Sequence, residues 1–326
     1  MPLGAKAAFP RRAALAARML LAAALLLFCI GASTSAQAQI NCSASFTNVA
    51  FGNVDVLPGT PIDSAGALST SCTGITGATK VILCFSMDNG SFALNGANRQ
   101  MGSGANRLGF NLYQDAARSV VWSASGAGVL GVVLTAAAPS ATPSVYARVP
   151  GSQQTVPPAA YTTTMTSSIT GNTFTGAAPA CSTLTTVLAT RTFTVTATVV
   201  SSCAVTTTTL NFGVTSFFTA NIDASNTVSV TCTATTPYHV RIDGGLAGGT
   251  TAAPRKMNFG ANKVSYDLYR DAARSLYWGS TDSANTLDAT GTAAAIGHTV
   301  YGRIPPQASQ PPGTYTDTVV VVISFL

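Results

Sequence analysis

The sequence predicts an all-β protein made of two tandem β-sandwiches, and three observations carry that expectation. First, the 326 residues hold no Glu, all 11 acidic residues are Asp, and Lys occurs only at 6, 80, 256 and 263. Good helix formers are therefore scarce, while Thr, Val, Tyr and Phe favour strands and 29 Gly and 16 Pro supply turns. Second, Thr192–Val199 alternates strictly, so that Phe193, Val195, Ala197 and Val199 share one face of an extended chain. Third, most of the chain is an internal duplication. An apolar share of 47% is too high for a disordered chain.

Taken in order, the chain opens on a targeting segment. Lys6, Arg11, Arg12 and Arg18 precede an apolar run from Leu20 to Ile30, and Ala36-Gln37-Ala38 fits a small-residue cleavage site. The run is short for a transmembrane helix, which takes about 20 apolar residues, and the pattern is that of a secretory signal peptide. Residues 1–38 are expected to be removed, leaving a mature chain from Gln39. Four of the 17 basic residues leave with it, so 13 face the 11 aspartates. No Lys/Arg cluster remains to serve as a footprint for nucleic acid.

The duplication follows. Leu112-Tyr113-Gln114-Asp115-Ala116-Ala117-Arg118-Ser119 recurs as Leu268-Tyr269-Arg270-Asp271-Ala272-Ala273-Arg274-Ser275, with Trp122 and Trp278 three residues beyond. Val145–Pro150 matches Val300–Pro305, Phe51-Gly52 matches Phe212-Gly213, Arg99-Gln100-Met101 matches Arg255-Lys256-Met257, and Tyr161 matches Tyr315. Order is kept while the offset drifts from 161 to 154. The domains are expected at 39–188 and 189–326, with the boundary near 185–195. Six cysteines survive cleavage, an even number suited to disulfides in an exported chain. Cys42 and Cys72 correspond to Cys203 and Cys232, so each pair is expected to close within its own domain. Cys84 and Cys181 have no counterparts and are expected to pair with each other. A loop of about 30 residues closed this way contributes roughly 3.5 kcal/mol on the chain-entropy account.

The remaining segments read as strands and turns. The Leu-Tyr-x-Asp-Ala-Ala-Arg-Ser unit sits between strand-like pieces, which makes its Asp and Arg turn chemistry or a surface pair. Tyr161 to about Thr170 is a strand, and the unbroken apolar run Val319–Ile323 is expected to be buried on both faces. Between Trp122 and Tyr146 the first unit has no charged residue from Ser123 to Pro139. Val129, Leu130, Val132, Val133 and Leu134 there are either a buried strand or an exposed apolar finger. Phe92, Leu94 and Met101 lie among Gly and Asn and form a second candidate loop. Exposed apolar loops are costly unless they contact something.

Catalytic chemistry is poorly supplied. His239 and His298 have no neighbouring ligand at metal-binding spacing, and the cysteines are used by disulfides. Gly126-Ala127-Gly128-Val129-Leu130-Gly131 matches a dinucleotide fingerprint, but it lacks a βαβ setting, and no acidic residue occurs between Asp115 and Asp223. No enzyme activity, cofactor or metal is expected, and a secreted enzyme is only a remote alternative.

The chain resembles the spore coat U domain family, the pilin-like domains of archaic chaperone–usher pili. The likeness lies in the Thr-rich strand entering Val-Val-Ser-Ser-Cys at 199–203, Asn-Phe-Gly at 211–213 and Ser-Val-Thr-Cys at 229–232. It continues through the Leu-Tyr-x-Asp unit with its Trp to Pro-Gly-Thr-Tyr-Thr-Asp-Thr-Val-Val-Val at 312–321. It is strong over 190–326 and looser over 41–170. The resemblance implies immunoglobulin-like sandwiches, the second lacking its last strand. It implies a periplasmic chaperone, an outer-membrane usher and a neighbouring subunit that donates the strand. It also implies localisation to a surface pilus and roles in adhesion and biofilm formation. With the mature chain read as starting at Gln39, no upstream donor strand is expected, which points to a tip subunit. A non-adhesive coat or shaft protein is the alternative. Phe193, Val195, Ala197 and Val199 either complete the first domain or open the second.

Overall fold

The computed structural model describes residues 39–325, so the expected signal peptide lies outside the described residues. The first unit contains β1 (Asn41–Phe46), β2 (Val49–Val54), β3 (Ile62–Thr73), β4 (Lys80–Met87), β5 (Arg99–Ser103), β6 (Asn106–Tyr113), β7 (Leu130–Thr135), β8 (Ser140–Ala141), β9 (Ser144–Val149), β10 (Ala159–Phe174) and β11 (Val187–Val199). The second contains β12 (Cys203–Thr207), β13 (Ile222–Cys232), β14 (Pro237–Ile242), β15 (Arg255–Phe259), β16 (Asn262–Tyr269), β17 (Leu287–Thr290), β18 (Ala295–Ile304) and β19 (Val321–Phe325).

In the first unit the pairings run β1-β3-β9-β6-β5, cross at Thr162/Gly102 into β10, and continue through β11 to β2. β4 pairs with the second half of β10, and β7 pairs with β4. The second unit repeats this as a five-stranded sheet β12-β13-β18-β16-β15 and a three-stranded sheet β17-β14-β19. Each unit encloses its own apolar core. The alternation of small polar and apolar residues sends every second side chain inward, as along β10, where Tyr161, Met165 and Ile169 are buried.

Both cores are built on the same fixtures. Trp122 and Trp278 are fully buried, and their indole N–H groups donate to the carbonyls of Phe85 and Val240 at 2.8 and 2.9 Å. Arg99 and Arg255 are buried beside them. Arg99 donates to the carbonyls of Asp88 and Trp122, and Arg255 to those of Asp243 and Trp278. Burial pushes the Arg99 guanidinium down to about 10, still charged at neutral pH. The repeated Asp-Ala-Ala-Arg-Ser segment is a turn, as its composition suggests. Asp115 accepts the backbone N–H groups of Ser119 and Val120, and Asp271 those of Ser275 and Leu276. Arg118 and Arg274 adopt positive φ to close it. Asp63 is gripped by Arg148 and Arg118, and Asp223 by Arg303 and Arg274. The hydrogen bond from Arg148 holds the Asp63 carboxyl below its usual range, and Arg303 does the same for Asp223.

The expected division at 188/189 falls within β11, which is hydrogen-bonded to β10 and β2 of the first unit as far as Val199. One expectation needs correction. Val319–Ile323 is not buried on both faces. Only Val321–Ile323 of it lies in a strand, and Val320 and Val322 are about half exposed, because they alternate to the outer face while Val319, Val321 and Ile323 pack inward against the second core.

Candidate functional site

The two units differ where β11 sits. In the first, β11 runs antiparallel to β10 from Ala159/Val199 onward and parallel to β2 from Val195/Val49 to Val199/Val54. Phe193, Val195, Ala197 and Val199 point into the core and are buried there, with the Phe193 ring stacked on Phe46 at 4.9 Å. This resolves the two readings of that segment in favour of the first unit. Asn48 accepts the Thr194 N–H, and Arg191 donates to the Ala44 carbonyl, which pins the strand at its edges.

Among the described residues, the second unit has no strand in this place. The segment matching β2, around Leu210–Gly213, forms no strand, and neither does the segment from Gly313 to Val320 that matches the first half of β10. The Asn258/Thr316 bridge holds the latter, as Gly102/Thr162 does in the first unit. Between the two segments lies a cavity of about 480 Å³ whose walls include Leu210, Phe212, Val228, Tyr315, Asp317 and Val319. The physical reason is partnership: β-strand geometry needs a hydrogen-bonded neighbour, and both segments lack the one that β11 provides in the first unit.

Threonines and asparagines share the lining with the apolar side chains, and Asp317 is the carboxylate among them. Asp317 accepts the N–H groups of Leu246 at 2.9 Å and Thr318 at 2.8 Å, and its other oxygen accepts the Tyr266 hydroxyl at 2.7 Å. Burial raises the Tyr266 pKa, and its bond to Asp317 raises it further. The equivalent positions in the first unit are Phe110 and Thr163. Sequence reasoning missed this pair. The signal was present in the repeat, where Phe110 and Thr163 become Tyr266 and Asp317.

The six cysteines form Cys42–Cys72, Cys84–Cys181 and Cys203–Cys232. The first and third join residues directly opposite each other in β1/β3 and β12/β13. Cys84–Cys181 ties β4 to the segment between β10 and β11, and Gly131 makes room for it: the Cys181 sulphur lies 3.2 Å from where a Gly131 Cβ would stand.

The exposed-finger expectation is corrected in part. Leu130–Thr135 is β7, paired along β4, and Val132 and Leu134 are buried. Alternation leaves Val133 44% exposed, with Val129 and Leu130 half-buried. Met101 is fully buried on β5, because β5 covers the core. Leu94 is 44% exposed, and Phe92 packs against Arg107, whose guanidinium lies 4.2 Å from the ring centre. Buried and exposed members alternate, so the eight residues do not form one apolar surface. The histidines sit in separate pairs, His239 with Asp288 at 2.7 Å and His298 with Tyr238 at 2.9 Å.

Among solved structures, the chain is similar to the CsuC–CsuE chaperone–tip adhesion subunit pre-assembly complex of Acinetobacter baumannii. That match has 17% identity, covers 87% of this chain and all of that one, and has a TM-score of 0.54. The CupB6 tip adhesin of Pseudomonas aeruginosa matches at 10% identity over 87% of this chain and 94% of that one, with a TM-score of 0.41. The first supports the two-unit fold. Protein U of Myxococcus xanthus is 37% identical over 107 residues, 31% of this chain and 59% of the relative, so the chain spans little more than half of that relative's length. The Spore Coat Protein U domain profile matches residues 27–168 and 189–322. With both units matched over most of their length, the chain belongs to the Spore Coat Protein U domain family.

Proposed function

We propose that the chain is a secreted subunit of a chaperone–usher pilus, held at the fibre tip as its adhesin. A periplasmic pilus chaperone protects it, and an outer-membrane usher passes it to the cell surface. One observation carries this reading: the first unit's strand position is filled by β11, and the second unit's is a vacant cavity of about 480 Å³. A filled sandwich takes nothing further, whereas a vacant one accepts a strand from another chain by β-augmentation. The second unit then binds the donor strand of a neighbouring subunit, and the self-complete first unit is left free to meet a surface. The likeness to a tip adhesion subunit supports the same arrangement. On the first unit, the exposed Leu94 and Val133 are the apolar residues proposed for attachment. Their contact carries no charge and is insensitive to salt. Many such weak tips on many fibres hold a cell and start a biofilm.

The test is to add donor-segment peptides from the neighbouring subunit of the same operon to the purified chain and follow thermal unfolding. The second unit is expected to gain stability. No gain from any donor overturns the acceptor reading. The family's description favours a second reading, a structural coat or fibre-shaft protein without an adhesive site. A deletion strain whose fibres still form but no longer attach supports the tip adhesin, and unchanged attachment supports the structural role.

A further inference from the structure

We infer that the Asp317–Tyr266 pair selects the strand that the second unit accepts, favouring a donor with a hydroxyl side chain opposite Asp317. This rests on the reading of the cavity as a strand acceptor. The inference starts from register. In the first unit Thr163 lies directly opposite Val195 of β11, both side chains inward and both buried. Thr163 accepts the Ser91 N–H at 3.0 Å, and Tyr161 donates its hydroxyl to the Pro157 carbonyl at 2.8 Å. In the second unit Asp317 accepts the Leu246 N–H, and Tyr315 donates to the Pro311 carbonyl at 2.8 Å. The same bonds from the same places fix the equivalence of Thr163 with Asp317. A strand entering the second unit as β11 enters the first therefore sets one inward residue beside Asp317, where directly opposed residues stand about 5 Å apart.

The polarity of that position has changed on both walls at once. In the first unit the place of Tyr266 is taken by Phe110, which has no hydroxyl, and the place of Asp317 by Thr163, which has no charge. The first unit thus has an apolar ring and a neutral hydroxyl at these two places, with Thr163 opposite Val195. The second presents a carboxylate supported by a phenol. A carboxylate has about four lone-pair sites, and Asp317 uses three, for Leu246, Thr318 and Tyr266. Covering it with an aliphatic side chain strips its remaining water and returns no bond. Covering it with a hydroxyl of the same shape fills the fourth site with a charge-assisted hydrogen bond.

The experiment uses the full mature chain and two synthetic peptides: the sequence of residues 187–199, and the same peptide with Val195→Thr, a near-isosteric change. Both are titrated calorimetrically against the wild-type chain, against Asp317→Thr/Tyr266→Phe, which copies the first unit, and against Asp317→Asn, which removes the charge and keeps an acceptor oxygen. The Thr peptide is expected to bind the wild type about tenfold more tightly than the Val peptide. That preference is expected to vanish in the double variant and to shrink in Asp317→Asn. Equal binding of both peptides to the wild type, or an undiminished preference in both variants, overturns the selectivity and leaves the acceptor reading standing. No binding by either peptide overturns the acceptor reading and the selectivity with it.

Discussion

Val132 and Val133 are neighbours on β7 with opposite surroundings: Val132 packs into the first core at 8% exposure, while Val133 faces out. Val132→Ser is expected to cost about 2–3 kcal/mol in chemical denaturation, since it removes buried apolar surface and buries a hydroxyl. Val133→Ser should stay within about 0.5 kcal/mol. If attachment uses the outward side chains, Val133→Ser combined with Leu94→Ser lowers binding to a hydrophobic surface and leaves the melting point unchanged. A large stability loss from that pair would instead make both residues structural. The sequence could not separate these valines, because a run from Val129 to Leu134 broken only by Gly131 carries no alternation of type. Their difference arises from pairing with β4, a contact between residues about 50 positions apart.

At the scale of the element, β11 was legible as a strand and illegible as to owner. Phe193, Val195, Ala197 and Val199 announce one apolar face, but periodicity does not name the core that receives it. That choice is made by β10 and β2 on either side. Phe193→Ala opens a hole against Phe46 and is expected to cost about 3–5 kcal/mol. The loss should appear in the unfolding of the first unit while that of the second holds. A shift confined to the second unit would assign β11 there. The converse case is Val319–Ile323, where an unbroken apolar run suggested burial on both faces. Its inward members Val319, Val321 and Ile323 do line the second core, but the edge beside them is open. A missing neighbour leaves no trace in the residues that await it.

At the scale of the whole molecule, the duplication was readable because its fixtures are chemical. The turn aspartates, the buried Trp and Arg, and the cross-strand cysteines each need one residue type at one place. The fold boundary was not readable, because the repeat of the sequence and the repeat of the fold are out of step by one strand. The second family match begins at residue 189, inside a strand that the first unit holds. This offset has a mechanical consequence. Any pull on the second unit reaches the first along β11, entering at Val199, and at the other end of that segment Cys181 is bonded to Cys84. If β11 is drawn out, only residues 182–199 can pay out before the covalent bond takes the load, a contour of about 60 Å for 18 residues at roughly 3.5 Å each, which is an upper bound on the travel because β11 is already extended. Single-molecule stretching should show a first step no longer than this, lengthening after the disulfide is reduced. An unchanged step on reduction would place the load elsewhere. The joint between the units is in this sense a leash with a fixed length, whose stop is the Cys84–Cys181 bond.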